Sequence, residues 1–245
     1  MERDVREKHA KPNHRAMCGR TALTASADEL RELFGLDRPP DVTARYNVTP
    51  SQVVQTLRAF KGAPRKLDPL RWGLVPAWAK DPKIGHELAL ARVESAASSP
   101  AFRDAVLRRR CLVAVDAFYE WQRTGGTAQP FVARRMDGRV FAVGALWERW
   151  VSRDGEVVES CAILTQPSRP PLDFVHDRMP LVLEPGEWEA WLDPDTATLE
   201  KVAPLLRPRA PELVAYPVST HVNDPRHDDA TCLERAEPSQ QRLFG

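Results

Sequence analysis

The chain has 245 residues, of which 42% are hydrophobic and 28% charged, as in a globular protein that buries a sizeable core. The 35 Lys and Arg residues nearly balance 34 Asp and Glu residues, so a nucleic-acid surface would have to come from local clustering. Neither a signal peptide nor a membrane-spanning apolar run is recognisable, which predicts a cytoplasmic protein with reduced cysteines.

The N-terminal stretch carries an unusual candidate nucleophile. Residues 1–17 are charged and lack apolar periodicity, which predicts a disordered extension or a start codon assigned too early. If translation begins at Met17, removal of that methionine leaves Cys18 with a free α-amine beside its thiol. Such a 1,2-aminothiol condenses with aldehydes, first as an imine and then as a thiazolidine ring. Cys18 is therefore reactive in this way only when residues 1–17 are absent or removed.

The first half of the chain predicts a short helix followed by strands and loops. The helix begins near Ser26, with Ser26 or Thr24 as its cap and Glu29 at the capping-box position for Ser26, and it ends at Gly35. Residues 51–60 alternate between apolar and polar, as in a strand, and residues 71–78 combine two tryptophans with Gly and Pro in a rigid loop. Residues 87–106 are predicted to be partly helical.

The second half predicts short strands separated by turns, then two short helices and a polar tail. A loop is expected between the last two strands, at 173–180. The chain is expected to be loosely held from His221 to Gly245, and residues 224–245 are predicted to form a polar C-terminal tail. The strands are predicted at 111–115, 131–135, 140–146, 157–164 and 181–183, and the helices at 185–192 and 196–206.

Taken singly, each candidate functional residue has an ordinary structural explanation. Glu120 lies between Tyr119 and Trp121, and could either alternate outward on a strand or lie in an apolar pocket suited to acid–base chemistry. His176 could be a solvated loop histidine.

Seven short motifs follow one another in a fixed order and carry more information together than singly. They resemble those of the SOS response-associated peptidase (SRAP) family, whose members protect abasic sites in single-stranded DNA by crosslinking to them. The resemblance extends from Cys18 to about Asn223. The motifs are Met17-Cys18-Gly19-Arg20, Arg45-Tyr46-Asn47 with Pro50, Arg71-Trp72-Gly73-Leu74 with Pro76 and Trp78, Ala91-Arg92 with Glu94, the basic run Arg108-Arg109-Arg110, Phe118-Tyr119-Glu120-Trp121 and His176-Asp177-Arg178-Met179-Pro180.

The resemblance implies an α+β fold, a single domain with a mainly antiparallel, barrel-like β-sheet and peripheral short helices. The domain would span 18–223. It implies a covalent thiazolidine crosslink between Cys18 and the ring-opened aldehyde of an abasic site, in the DNA damage response. Further implied are peptidase or lyase-like activity, a single-stranded DNA partner, a monomer, and association with the nucleoid when the protein acts on DNA. Neither a membrane partner, a cofactor nor a metal is expected.

The resemblance also assigns roles to individual residues. The implied catalytic groups are Cys18, Glu120 and His176. For Trp72 and Trp78, the alternative to a stacking role at DNA is that both are core residues, since buried tryptophans are common. The implied DNA-binding residues are Arg20, Pro50, Trp72, Trp78, Arg92 and Arg178.

One position departs from the family motif, which reads Asn-Ala-Arg-x-Glu. Here the asparagine is replaced by Leu90, which offers no hydrogen bond. Two hypotheses follow: a crosslinker in which Cys18, Glu120 and His176 suffice, or a DNA binder that crosslinks weakly or not at all. A third hypothesis, compatible with the first, is self-cleavage of the leader before Cys18.

Overall fold

The computed structural model describes residues 19–236, and these form two β-sheets with four short α-helices at their periphery. Cys18, the predicted extension 1–17 and residues 237–245 lie outside the described residues. None of the helices within 19–236 is long and apolar enough to cross a membrane. The helices are α1 (Ala27–Phe34), α2 (Arg103–Arg108), α3 (Trp188–Leu192) and α4 (Leu199–Val202).

Thirteen strands are assigned within the described residues. They are β1 (Thr21–Leu23), β2 (Arg45–Val48), β3 (Val53–Phe60), β4 (Ala63–Trp72), β5 (Leu90–Arg92), β6 (Arg110–Val115), β7 (Ala117–Thr124), β8 (Thr127–Arg134), β9 (Phe141–Val151), β10 (Val157–Pro167), β11 (Arg178–Pro180), β12 (Val182–Leu183) and β13 (Val214–Pro217).

Five of these strands close into a barrel. Strands β4, β3, β6 and β9 pair antiparallel in that order, and β10 completes the ring by pairing antiparallel with β9 and parallel with β4. Large apolar side chains from these strands are almost completely buried, among them Leu57, Leu112, Leu146 and Ile163. The expected barrel-like, mainly antiparallel α+β fold is confirmed.

A second sheet is open and has the strand order β13-β8-β7-β1-β2. Strand β7 follows the barrel strand β6 after the single residue Asp116, whose carboxylate accepts hydrogen bonds from the backbone and hydroxyl of Thr24. This short link places the residues of β7 beside the barrel.

The predicted first helix is α1, and its capping signals act as the sequence indicates. The Ser26 side chain accepts from the backbone of Glu29 while the Glu29 carboxylate accepts from the backbone of Ser26. Gly35 ends the helix in the left-handed conformation, with φ of 63°.

Three local predictions were wrong in part. Residues 87–106 are partly helical as expected, because α2 begins at Arg103, but Leu90–Arg92 within this stretch is strand β5, which pairs in parallel with β10. Within the expected loop 173–180, Arg178–Pro180 is strand β11, paired antiparallel with the same strand. The tail is not loosely held over 224–236, where Asp228 accepts backbone hydrogen bonds from β2 and Cys232 is completely buried.

Candidate active site

Strand β10 brings two of the motif segments to its opposite edges. Thr165 pairs with Arg92 of β5 on one edge and with Pro180 of β11 on the other. The Arg178 guanidinium donates a hydrogen bond to the carbonyl oxygen of Thr165 at 2.6 Å. The motif containing Arg92 and the motif containing His176 therefore meet at the end of one barrel strand.

An ion pair joins these two segments. The Arg178 guanidinium donates to both carboxylate oxygens of Glu94, at 2.6 and 3.0 Å, and the Arg178 side chain is only 10% exposed. The paired guanidinium lowers the pKa of the Glu94 carboxyl below its ordinary value. The DNA-binding role of Arg178 stays a prediction. In the structure its two terminal guanidinium nitrogens donate to Glu94 and Thr165, and these contacts join the neighbouring loop to β5 and β10.

His176 is held in a defined orientation by its own loop. Its backbone N–H donates to the Leu172 carbonyl, and its ring Nδ1 accepts from the backbone N–H of Arg178 at 3.1 Å. The Asp177 carboxylate also lies 3.0 Å from Nδ1. Nδ1 accepts the Arg178 N–H when it is unprotonated and donates to the Asp177 carboxylate when it is protonated, so both contacts use the same ring nitrogen. Nε2 is then the nitrogen able to exchange a proton with a bound molecule.

Glu120 lies on β7 and is 1% exposed. Its cross-strand neighbour is Phe131 of β8, whose ring meets that of Phe174 edge to face at 5.4 Å. Two residues further along β7, the Gln122 amide donates to the Phe174 carbonyl at 3.2 Å. The loop that carries His176 thus rests on the hairpin that carries Glu120.

The beginning of the described chain lies against the same strand. Strand β1 pairs with β7, and the Tyr119 N–H donates to the Arg20 carbonyl at 3.0 Å. Gly19 therefore lies close to the part of β7 that carries Glu120. The structure brings together Arg20, Glu120 and the His176 loop.

The Arg20 side chain is tied to the C-terminal part of the described chain. Its guanidinium donates to the Asn47 amide oxygen at 2.7 Å and to the carbonyls of Val222 and Asn223 at 2.6 and 3.2 Å. It also lies over the Trp121 ring, 5.5 Å from the centroid. Burial lowers the Arg20 pKa, but the group remains a cation.

The two tryptophans of the Arg71–Trp78 motif have opposite environments. Trp72 is completely buried and donates its indole N–H to the Ala89 carbonyl at 2.8 Å. The expectation that Trp72 contacts DNA is corrected, because neither face of its ring is open to a base.

Trp78, in contrast, is 60% exposed. It borders a concave surface of about 370 Å³ that Lys80 and Ile84 also line. Pro50 is partly exposed in the turn before β3, and Arg92 is exposed at the end of β5. These three residues are available to a ligand, as a DNA-binding role requires.

Leu90 occupies the position where the family motif has asparagine. It is half-buried on β5, pairs with Ile163 and packs against the apolar side chains around the barrel. Its apolar surface is therefore used in packing.

Sequence reasoning missed two residues that assemble the region. Asn47 is completely buried, and its amide donates to the carbonyls of Val222, Asp224 and His227. Gln122 joins β7 to the His176 loop. The Arg45-Tyr46-Asn47 motif was a signal for the first of these, whereas no signal identified Gln122.

Comparison with known proteins agrees with the motifs. The family model described as "SOS response associated peptidase (SRAP)" matches residues 17–225. The abasic site processing protein YoqW of Bacillus subtilis is 34% identical over 223 residues, covering 89% of this chain and 99% of that protein. The abasic site processing protein YobE of the same organism is 35% identical over 214 residues, covering 85% and 97%. A crystallised protein from Bacteroides thetaiotaomicron has the same fold, with a TM-score of 0.79 at 24% identity, covering 90% of this chain and all of that one.

Proposed function

The chain belongs to the SOS response associated peptidase family, and from this premise we propose that it processes abasic sites in DNA. In this proposal it binds single-stranded DNA and crosslinks the ring-opened aldehyde of an abasic site to the amine and thiol of Cys18. The observation that carries the proposal is the contact between the Glu120 hairpin and the His176 loop, beside the start of β1. Cys18 directly precedes Gly19, the first described residue.

The chemistry requires several proton transfers, which Glu120 and His176 can supply. An abasic deoxyribose is mostly a closed hemiacetal, so one group must donate a proton to the ring oxygen while another accepts the hydroxyl proton. The Cys18 amine then adds to the aldehyde carbon, and loss of water gives an imine. The thiol adds to the imine carbon, its proton passes to the nitrogen, and the ring closes as a thiazolidine.

The proposed DNA path uses the exposed members of the predicted set. Arg92 supplies a cation for a phosphate, and the exposed face of Trp78 offers a stacking surface for a base. Stacking and phosphate contacts of this kind are independent of sequence, which suits a protein that acts on a lesion.

The test combines an intact mass with a denaturing gel. Protein shown by mass to begin at Cys18 is incubated with a single-stranded oligonucleotide carrying one abasic site. We expect a heat-stable adduct from the wild type and none from Cys18→Ser. Glu120→Gln and His176→Gln should form it more slowly by a factor of about 10²–10⁴ each. The control is Glu156→Gln, which alters an exposed carboxylate in the turn before β10. The absence of any adduct from protein that begins at Cys18 would refute the proposal.

A second candidate function is favoured by Leu90: a DNA binder that crosslinks weakly. Losing one oriented hydrogen-bond donor costs about 2.7–4 kcal/mol at an oxyanion site. If Leu90 limits the reaction, Leu90→Asn should speed adduct formation while leaving DNA affinity unchanged. An unchanged rate would show that this position has no polar role here.

We also propose that the same groups remove the leader, which would generate the amine that crosslinking needs. Expressed from the Met1 codon, the wild type should then lose residues 1–17 and Glu120→Ala should retain them, as read by intact mass. Equal processing of both proteins would argue against self-cleavage.

A further inference from the structure

The segment after β13 carries a group of side chains that the proposed DNA chemistry does not use. It forms two short 3₁₀ turns, Thr220–Asn223 and Ala230–Leu233. Asn47 donates to three of its carbonyls, and Asp228 accepts the N–H groups of Tyr46 and Asn47. The backbone around this group is therefore fixed to β2.

Three potential metal ligands converge between the two turns. His221 Nε2, Asp229 Oδ2 and Cys232 Sγ all lie within 4.8 Å of one another, and the first two are 3.0 Å apart. No other group of three or more such ligands occurs within residues 19–236. Tetrahedral zinc with ordinary bond lengths needs ligand atoms about 3.4–3.6 Å apart. Adjustments of about 1 Å, within the range of side-chain rotation, would meet that requirement.

Neighbouring groups hold each ligand in place. The His227 ring stacks on the His221 ring at 3.8 Å with an interplanar angle of 5°, and His227 Nδ1 lies 2.8 Å from the His221 carbonyl. The Thr231 N–H donates to Asp229 Oδ1, which leaves Oδ2 directed at His221. The Cys232 N–H donates to the Asp229 carbonyl. Groups of this kind, which orient ligands without binding the metal, contribute to affinity in known sites.

We propose that His221, Asp229 and Cys232 bind a zinc ion, with water completing a tetrahedral site. A thiolate, an imidazole and a carboxylate are the ligand types that zinc takes in proteins, whereas calcium and magnesium prefer oxygen ligands alone. The ion enters from solvent, since the His221 and Asp229 side chains are 29% and 53% exposed. The Cys232 thiol transfers its proton to solvent as the metal–sulfur bond forms.

The bound ion would brace the segment that holds Arg20. The carbonyls of Val222 and Asn223, which accept from the Arg20 guanidinium, immediately follow His221. A zinc ion would join this turn to the next one through Cys232. Its effect would be structural, and it goes beyond the proposed reaction at Cys18.

The test uses cobalt as a spectroscopic substitute for zinc, because cobalt bound to thiolate gives charge-transfer absorption. The 1,2-aminothiol of an exposed Cys18 can itself bind metal, so the full chain is titrated in a Cys18→Ser background. We expect a thiolate–cobalt band that added zinc abolishes. Zinc should also raise Tm relative to protein in EDTA.

Variants assign the ligands. In that background, Cys232→Ser should remove the band. His227→Ala removes a ring that orients a ligand and should lower cobalt affinity by about 10- to 100-fold. His221→Gln removes a ligand and should lower cobalt affinity further. His86→Gln, an exposed histidine elsewhere, should behave as the parent. A variant counts as folded when its circular dichroism spectrum and its Tm in EDTA equal those of the Cys18→Ser parent. If Cys232→Ser does not fold, His221→Gln tests the site instead. A band that survives both Cys232→Ser and His221→Gln, or its absence from the Cys18→Ser parent, would overturn the proposal.

Discussion

Strand β6 of the barrel and strand β7 of the open sheet are separated by a single residue, Asp116, yet they bury different chemistry. Strand β6 of the barrel has six consecutive buried residues, Arg110–Val115, of which five are apolar. Strand β7 of the open sheet begins with three buried apolar residues, but its fourth buried residue is Glu120. Asn47, on strand β2 of the same open sheet, is also completely buried.

This difference separates two kinds of stability. Apolar burial, as on β6, contributes free energy with little dependence on orientation, whereas a buried polar group such as Asn47 stabilises one arrangement through directed hydrogen bonds. Mutations of buried apolar side chains should therefore lower global stability. Mutations of buried polar side chains should release the particular segments that they bind.

The largest expected effect compares the two tryptophans of one motif. Trp72→Ala removes a completely buried side chain and its hydrogen bond to the Ala89 carbonyl, and should lower the free energy of unfolding by about 3–5 kcal/mol. Trp78→Ala should change it by no more than about 0.5 kcal/mol, because the side chain is largely exposed. Urea unfolding measures both, and equal losses would contradict the assignment of Trp72 alone to the core.

A second test uses glycines that differ in their surroundings. A Cβ on Gly73, where φ is 135°, would lie 2.6 Å from the Gly85 carbonyl oxygen. Gly73→Ala should therefore cost about 2–4 kcal/mol from strain and overpacking together. Gly62→Ala, with φ of 71° and open space around it, should cost about 1–2 kcal/mol. Comparable losses would show that the backbone contact between Gly73 and Gly85 is unimportant.

In the open sheet, Asn47→Ala should act locally. It removes the amide that binds three carbonyls of the C-terminal segment and leaves the Arg20 guanidinium short of one acceptor, at a cost of about 1–3 kcal/mol. Hydrogen exchange should accelerate mainly over residues 219–236. Uniform acceleration across the barrel would indicate a global effect instead.

The smallest effect concerns the pair that anchors the His176 loop. Glu94→Gln should lower stability by about 1 kcal/mol or less at neutral pH, since the carboxylate is partly exposed. Because the folded-state pKa of Glu94 is depressed, its contribution is present above the ordinary value near 4.5 and is lost as pH falls through the folded pKa. The Tm values of the wild type and Glu94→Gln should therefore converge in acid. A Tm difference that persists in acid would show that ionisation of Glu94 is not its cause.

Local signals predicted some of these features and could not predict others. The capping box of α1 and its terminal Gly35 are encoded within ten residues, so the helix could be located from sequence. Leu90–Arg92 becomes a strand only because β10 offers it a parallel edge, which no local pattern reveals. Trp72 and Trp78 share one motif, and only the closure of the barrel separates a buried ring from an exposed one.

The candidate site divides in the same way. The motifs identified Glu120 and His176, whose loop and strand the structure brings into contact. The contacts of Arg178 could not be inferred, because they depend on Thr165 and Glu94, which meet it only through the pairing of β5, β10 and β11.

The parallel pairing of β4 with β10 has a consequence for synthesis on the ribosome. Arg71 pairs with Ser160, about 90 residues later, so the barrel stays open while most of the chain emerges. Strand β10 also carries the segments of Arg92 and His176 on its two edges. The His176 loop can therefore take its place on the hairpin that carries Glu120 only after most of the chain has been made.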